Sequence, residues 1–359
     1  MGAIMVNNIY PKIIKMVERG EALPLDDART ILDPDQLDTA ELLGTAYQFR
    51  RQYFGKTVTV HILNNVQNGL CPEDCRYCAQ SASSSAPIEE YAMKSDDEIL
   101  AEASAAYAGG AGRYCMVFSG TGPSDDRIEH LARLIREIKR RHKIEVCVSP
   151  GVINAPQARK LKEAGLDRLN HNLNTSEEYY RYICTSHTYA DRLRTLEAAH
   201  SVGLAVCSGV IIGMGEKPED VYGMAKSLRD LGAESIPVNF LIPIAGIALK
   251  AAKGLSPEYC LRVLCLFRFM NPKAEIRMAA GREMHLRSLE PLGLLAANSL
   301  FLQGYLNAQG SSNVKTLQMI RDMGFTIRSD VSMEKLLAQA DDGCMGGGLK
   351  GVKELRPFK

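Results

Sequence analysis

Apolar and polar positions along this chain change rhythm near residue 57. Residues 9–55 carry apolar side chains at helical spacing, which predicts helices from Tyr10 to Arg19 and from Asp38 to Tyr53, with Pro24-Leu25-Asp26-Asp27-Ala28-Arg29 opening a turn between them. From Thr57 onward short apolar runs alternate with helical stretches. The runs predict strands at 57–63, 113–118, 144–149, 167–172, 204–212, 235–241, 274–279 and 297–302. Helical spacing recurs near 95–109, 124–141, 154–164, 189–202, 217–231, 256–270, 284–294 and 312–323. Eight β-then-α units without a long interruption predict an α/β fold of TIM type, a closed (β/α)8 barrel, with a doubly wound open sheet as the alternative. The expected organisation is an N-terminal helical cap over 1–55, the barrel over 56–325, and a C-terminal stretch over 326–359 made of a helix near 332–341 and a flexible glycine-rich tail.

At 359 residues and 46% apolar composition the chain can bury a substantial core. A net charge of +1 with interspersed signs gives no basic field for nucleic acid and no polybasic stretch for a membrane surface, so a small-molecule substrate is expected. No apolar run reaches the roughly 18 residues of a membrane helix, and Met1-Gly2-Ala3-Ile4-Met5-Val6-Asn7-Asn8 lacks the charged start and apolar block of a signal peptide. A cytoplasmic location follows as the expectation. Ten cysteines in a reducing compartment are then either small buried hydrophobes or metal ligands.

The densest chemistry follows the first predicted strand. Cys71-Pro72-Glu73-Asp74-Cys75-Arg76-Tyr77-Cys78 spaces three cysteines as C-x3-C-x2-C on a short loop, with no obvious fourth ligand. Three thiolates suit a 4Fe-4S cluster that leaves one iron open to a reactant. A structural zinc site is the alternative and needs a fourth ligand at tetrahedral distance. His61 is the nearest candidate, but it lies within the apolar-alternating run 57–63. The loop stands at the C-terminal mouth of the barrel, where such folds build active sites.

Cys115, Cys147 and Cys207 fall on the second, third and fifth predicted strands. Alternate strand residues point into a barrel, so one choice of parity brings all three thiols into the same interior. Singly, each reads as a core hydrophobe; together they could hold a second iron–sulfur cluster below the first. The seventh strand offers Arg277 as a fourth ligand, and an internal ion pair with a buried carboxylate is its other reading.

The loop, with Tyr77 between its last two cysteines, resembles the C-x3-C-x-φ-C motif of the radical S-adenosylmethionine superfamily, in which the cofactor's methionine moiety chelates the open iron and one electron releases a 5′-deoxyadenosyl radical. Within that superfamily the chain resembles the biotin synthase family over roughly three quarters of its length, from the loop to about residue 325. Cys115, Cys147, Cys207 and Arg277 match that family's auxiliary-cluster ligands. Asn170-His171-Asn172-Leu173-Asn174-Thr175-Ser176 resembles the segment that meets S-adenosylmethionine, and Thr188-Tyr189-Ala190-Asp191-Arg192 the one whose arginine meets the cofactor carboxylate. Cys207 to Glu216, with Ile212, resembles the strand beside the adenosyl group, and Pro237-Val238-Asn239-Phe240 the strand whose asparagine meets the substrate. Asn172 and Asn174, two apart in an extended segment, would face one side and offer amides to ribose hydroxyls.

The resemblance implies sulfur insertion into dethiobiotin, with Cys71, Cys75, Cys78 and Arg277 in the catalytic machinery and Asn172, Asn239 and Asn307 near the substrate. It further implies a 4Fe-4S cluster, S-adenosylmethionine and an auxiliary 2Fe-2S cluster, a flavodoxin or ferredoxin donor, and a homodimer. Two other readings stay open: a radical enzyme of the same branch that takes no sulfur, and a non-catalytic iron–sulfur sensor. Three departures stand out. Asn174 and the pair Asn307-Ala308 stand where the family often has aspartate and two threonines, and Cys184 stands where it is usually aliphatic. Cys184 is either an apolar replacement or an alternative ligand of a larger auxiliary cluster. Cys260, Cys265 and Cys344 are assigned no role.

Overall fold

Small polar residues stand immediately ahead of most helices and fix where each begins. The computed structural model describes residues 9–249 and 254–341. Three helices open it: α1 (Tyr10–Glu18), α2 (Leu25–Leu32) and α3 (Thr39–Phe54), the last capped by Asp38 on the N–H groups of Ala40 and Glu41. The Pro24–Arg29 stretch is not a turn but the start of α2. Asp26 and Asp27 suit its first turn, and Ala28, Ile31 and Leu32 bury one face.

The barrel strands are β1 (Thr57–Gln67), β2 (Arg113–Phe118), β3 (Glu145–Ser149), β4 (Arg168–Asn170), β5 (Ala205–Cys207), β6 (Val210–Ile212), β7 (Ser235–Phe240), β8 (Glu275–Met278) and β9 (Ser299–Phe301). All pair in parallel. β5 and β6 are one wall interrupted at Ser208-Gly209, and β9 pairs back onto β1 through Val60 and Leu300, which closes the ring. All eight strands read from the apolar runs are present; the doubly wound open sheet is excluded by the β1–β9 pairing.

Between the strands run α4 (Asp96–Ala108), α5 (Asp125–Arg141), α6 (Ala155–Glu163), a short α7 (Glu177–Tyr180), α8 (Tyr189–Ser201), α9 (Pro218–Leu231) and α10 (Pro257–Met270). Ser95 with Glu98, Asn154 with Gln157 and Thr188 with Asp191 form reciprocal capping boxes at α4, α6 and α8. The helix expected at 284–294 splits into α11 (Arg282–Leu286) and a 3-10 helix (Arg287–Leu295), because Pro291 cannot donate to an α ladder and Arg287 stands at φ 51°. A hairpin of β10 (Gly304–Tyr305) and β11 (Ala308–Gln309) follows. After it come α12 (Asn313–Asp322), β12 (Thr326–Ile327) and α13 (Met333–Asp341). β12 adds to the start of β1, pairing Thr326 with Thr57. The glycine-rich tail and Cys344 lie outside the described residues. Among the described residues no helix is long and apolar enough to cross a membrane.

Strand parity divides the interior. Ile62, Tyr114, Met116, Val146, Val148 and Val206 pack outward into the main core beneath the helices. Leu63, Cys115, Cys147, Cys207, Ala279 and Phe301 form a separate cluster inside the ring. Gly209 permits the break in the fifth wall, since a Cβ there would meet the carbonyl oxygen of Pro237 at 2.3 Å.

Buried arginines tie the N-terminal helices to the barrel. Arg50 of α3 donates to the carbonyls of Thr57 and Ala297 at the starts of β1 and β9. Arg262 of α10 reaches the carbonyls of Ile31, Pro34 and Leu37 around α2, and Glu258 neutralises it at 2.9 Å. Replacing Arg262 with Met strips those carbonyls of donors while keeping the stem's bulk. Arg262→Met is expected to cost about 3 kcal/mol, read as a fall of several degrees in the thermal unfolding midpoint. An unchanged midpoint would show that the carbonyls find other donors.

Candidate active site

The loop after β1 is held in shape by its own backbone and by its neighbours. Cys78 N–H donates to the Cys75 carbonyl at 3.0 Å, and Ala82 N–H to the Glu73 carbonyl at 2.9 Å. Arg76 N–H donates to the Ile183 carbonyl at 2.9 Å, docking the loop on the segment between α7 and α8. Asp74 accepts from the N–H groups of Thr185 at 2.9 Å and Ser186 at 3.0 Å. Glu73 accepts from the hydroxyls of Thr121 and Ser186 and from His187 Nδ1 at 2.6 Å. Burial opposes ionisation of both carboxyls, but these bonds outweigh it and hold both below the usual carboxylate range.

Cys71 and Cys78 are partly exposed and Cys75 is buried. All three line one cavity of about 270 Å³, together with Cys115, Cys147, Cys207 and Arg277. The six thiols therefore stand at two levels of a single space. Burial pushes the Cys78 thiol up to about 11. The Cys75 thiol is pushed up by its bond to Cys184 and by burial. Buried neutral thiols give up their protons when a metal binds.

At the lower level Cys115 lies in register with Cys147, and Asn170 with Cys207. Cys115, Cys147 and Cys207 are 5%, 2% and 0% exposed. The Cys147 thiol is raised by its bonds to Cys115 and Cys207, whose own thiols are lowered by those bonds and by the charge of Arg277. Arg277 Nη1 stands 3.8 Å from Cys207 Sγ, and its guanidinium lies over the Phe301 ring at 4.9 Å. It also pairs with Glu275, so the internal ion pair exists, yet its buried Nε has no hydrogen-bond partner among the described residues. Three thiols facing one another, two of them biased toward thiolate, beside a cation with a spare donor fit an iron–sulfur cluster. His61, the fourth ligand considered for zinc at the upper loop, is fully buried below, 3.1 Å from Glu275, and does not reach that loop.

The remaining candidates divide. Asn174 donates to the Tyr77 hydroxyl at 2.6 Å, and Asn172 Oδ1 accepts from the Gly209 N–H at 2.9 Å. Asn174 stands at φ 68°, so the segment is not extended. A bridge to Val210, not strand alternation, turns both amides to the cavity. Arg192, Asn239 and Asn307 also line it. Asn239 donates to the Val210 carbonyl at 2.9 Å, and Asn307 accepts from Asn68 at 2.8 Å on the β10–β11 hairpin. Ile212 does not line it. The break at Ser208-Gly209 resets parity, so Ile211 faces the cavity while Ile212 is buried in the outer core.

Cys184 is not with Cys115, Cys147 and Cys207. It lies 3.8 Å from Cys75 Sγ and 3.3 Å from His187 Nδ1, beside the upper loop, so its reading as an auxiliary ligand loses its geometry. Cys75, Cys184 and His187 bring ligand atoms within 4.8 Å of one another. His187, however, spends both ring nitrogens, on Glu73 and on Arg192. Cys260 and Cys265 are buried in α10. Sequence reading passed over Glu73, Asp74, His187 and Tyr305, whose ring packs on Phe301 at 5.4 Å. The signal available for the first three was local: two acids inside the cysteine spacing, and a hydroxyl pair ahead of His187.

Because Glu73 and Asp74 are depressed in the fold, their bonds stabilise the docked loop above the ordinary carboxylate value, and this contribution is lost as pH falls through the lower folded values. Asp74→Ala is expected to speed hydrogen exchange at the Thr185 and Ser186 amides at least about tenfold at neutral pH. In the unaltered protein the same amides should lose protection only below about pH 4. Equal exchange in both proteins overturns the latch.

The family model "Radical SAM superfamily" matches residues 67–228, and "Biotin and Thiamin Synthesis associated domain" matches 237–326. A protein of Magnetococcus marinus named biotin synthase is 54% identical over 316 residues, covering 87% of this chain and 98% of the relative. One of Acaryochloris marina with the same name is 51% identical, covering 87% and 90%. Among solved structures, methylornithine synthase superposes with a TM-score of 0.74 at 19% identity, covering 91% of this chain and 99% of that one. The FeFe-hydrogenase maturase HydG of Carboxydothermus hydrogenoformans superposes with 0.75 at 20%, covering 93% and 84%. These two likenesses concern the fold.

Proposed function

The chain belongs to the biotin synthase family of the radical S-adenosylmethionine superfamily, and on that premise we infer that it inserts sulfur into dethiobiotin to form biotin. Its cofactors are a 4Fe-4S cluster, S-adenosylmethionine and an auxiliary iron–sulfur cluster. When bound, these groups supply one-electron cleavage of a sulfonium, hydrogen abstraction from an unactivated carbon, and a sulfur atom, none of which a side-chain acid or base provides. One observation carries the reading: three loop thiols and three barrel thiols line the same cavity at two levels.

In this reading Cys71, Cys75 and Cys78 hold the upper cluster, and the docked loop keeps their spacing. Tyr77 and Asn174 brace each other beside the cofactor, with Asn172 and Ile211 on the same wall. Arg192 takes the cofactor carboxylate through paired N–H donors. Cys115, Cys147, Cys207 and Arg277 hold the auxiliary group, for which the family resemblance favours a 2Fe-2S cluster. Asn239 and Asn307 orient the substrate, Asn307 in place of the hydroxyls common in the family. The barrel wall keeps water from the reacting carbon. A reducing cytoplasm suits the ten cysteines. A homodimer fed by flavodoxin or ferredoxin completes the proposal.

The test is anaerobic reconstitution followed by turnover with dethiobiotin. The unaltered protein should carry more than about four irons and yield both 5′-deoxyadenosine and biotin. Cys115→Ala should keep 5′-deoxyadenosine formation and lose biotin, whereas Cys71→Ala should lose both. About four irons with 5′-deoxyadenosine but no biotin would favour an enzyme of the same branch that takes no sulfur. No 5′-deoxyadenosine under strong reductant would favour the sensor.

A further inference from the structure

His187 joins the two halves of the upper site. Its Nδ1 meets Glu73 Oε2 at 2.6 Å, inside the cysteine loop, and its Nε2 meets Arg192 Nη2 at 2.7 Å, in the first turn of α8. Arginine only donates, so Nε2 must accept and the proton must sit on Nδ1, donated to Glu73. This contact fixes the acceptor at Nε2 and the donor at Nδ1. Arg192 is held at two further points, by the Tyr180 hydroxyl at Nε and by the Asn172 carbonyl at Nη1, 2.8 Å away.

Three of its five N–H donors are thus committed, and one remains on each of Nη1 and Nη2, the pair that a carboxylate meets in a two-pronged contact. Arg192 and His187 both line the cavity, and the arginine is buried, so its plane cannot be set by solvent. Without the His187 contact, Nη2 would have a free donor and the guanidinium one fewer constraint on its rotation.

We propose that His187 is a positioning residue for the cofactor: the Glu73–His187–Arg192 relay fixes the carboxylate-binding arginine relative to the cysteine loop. The proposal rests on the reading of Arg192 as the carboxylate partner of S-adenosylmethionine. In that reading the carboxylate meets both the arginine and the open iron held by the loop, so its binding depends on the distance between them. The relay sets this distance through two hydrogen bonds and no covalent link.

Two amides separate the two bonds. Gln at 187 places its amide oxygen near the former Nε2 and can accept from Arg192, while Asn places its amide nitrogen near the former Nδ1 and can donate to Glu73. Equilibrium dialysis of S-adenosylmethionine against the reconstituted enzyme should show His187→Ala and His187→Asn weakened about tenfold, the scale of one charge-assisted hydrogen bond. His187→Gln, which keeps the Arg192 contact and gives up the one to Glu73, should be weakened more than about threefold as well, and an affinity equal to that of the unaltered enzyme would overturn the relay. Iron content and the cofactor-free electron paramagnetic resonance spectrum should be unchanged in all three. Equal affinity in His187→Ala and the unaltered enzyme, with Arg192→Ala weakened, overturns the proposal and leaves Arg192 in place. An unchanged affinity in Arg192→Ala overturns the reading of Arg192, and the proposal with it. Loss of cluster iron in His187→Gln, which gives up the contact to Glu73, also overturns it, because His187 would then serve the loop alone.

Discussion

Glu275 lies buried at the floor of the barrel between two guanidinium groups, and the arrangement above depends on it. Arg113 reaches it from β2 at 3.1 and 3.2 Å, Arg277 pairs with it from β8, and Ser235 and Ser299 add hydroxyl donors at 3.0 and 3.1 Å. Burial alone would raise its pKa, but Arg113, His61 and Arg277 hold it well below the carboxylate range. A lone buried cation is expensive, so Arg277 depends on that carboxylate to stand inside the ring, whereas Arg113 is paired with Glu145 as well, at 2.7 Å. Arg277 in turn lowers the thiols of Cys115 and Cys207. The charge that prepares the lower thiols thus originates one layer beneath them.

The upper level is organised differently. The loop thiols have no comparable floor of charge; their places are set by docking, with the acids between the cysteines gripping the segment ahead of α8. The lower group is fixed by strand register and the upper by side-chain contacts across more than 100 residues of chain. Strand register resists change as a unit, whereas a docked loop can loosen locally without unfolding the barrel.

Much of this was legible in the sequence because the strands are short apolar runs bounded by polar caps, and strand period decides which residues share an interior. Cys115, Cys147 and Cys207 followed from parity on three separate strands. Parity failed at Ile212, where Ser208-Gly209 interrupts the wall, and the same-side argument failed for Asn174, whose backbone is left-handed. Cys184 could not be placed because its position depends on a loop more than 100 residues earlier in the chain folding back onto it. The helix at Leu25–Leu32 was missed because Pro24 and two acids read equally as a turn or as a helix start.

The interrupted wall has a further consequence. Its first half ends in Cys207, at the lower level, and its second half carries Ile211 beside Asn174, at the upper level. They are four positions apart, and an extended chain advances about 3.3 Å per residue, so the wall spans at most about 13 Å between the two chemistries. The barrel therefore acts as a ruler. Whatever lies between radical and sulfur must bridge that span, and the length of one strand, rather than any single contact, limits how large it can be.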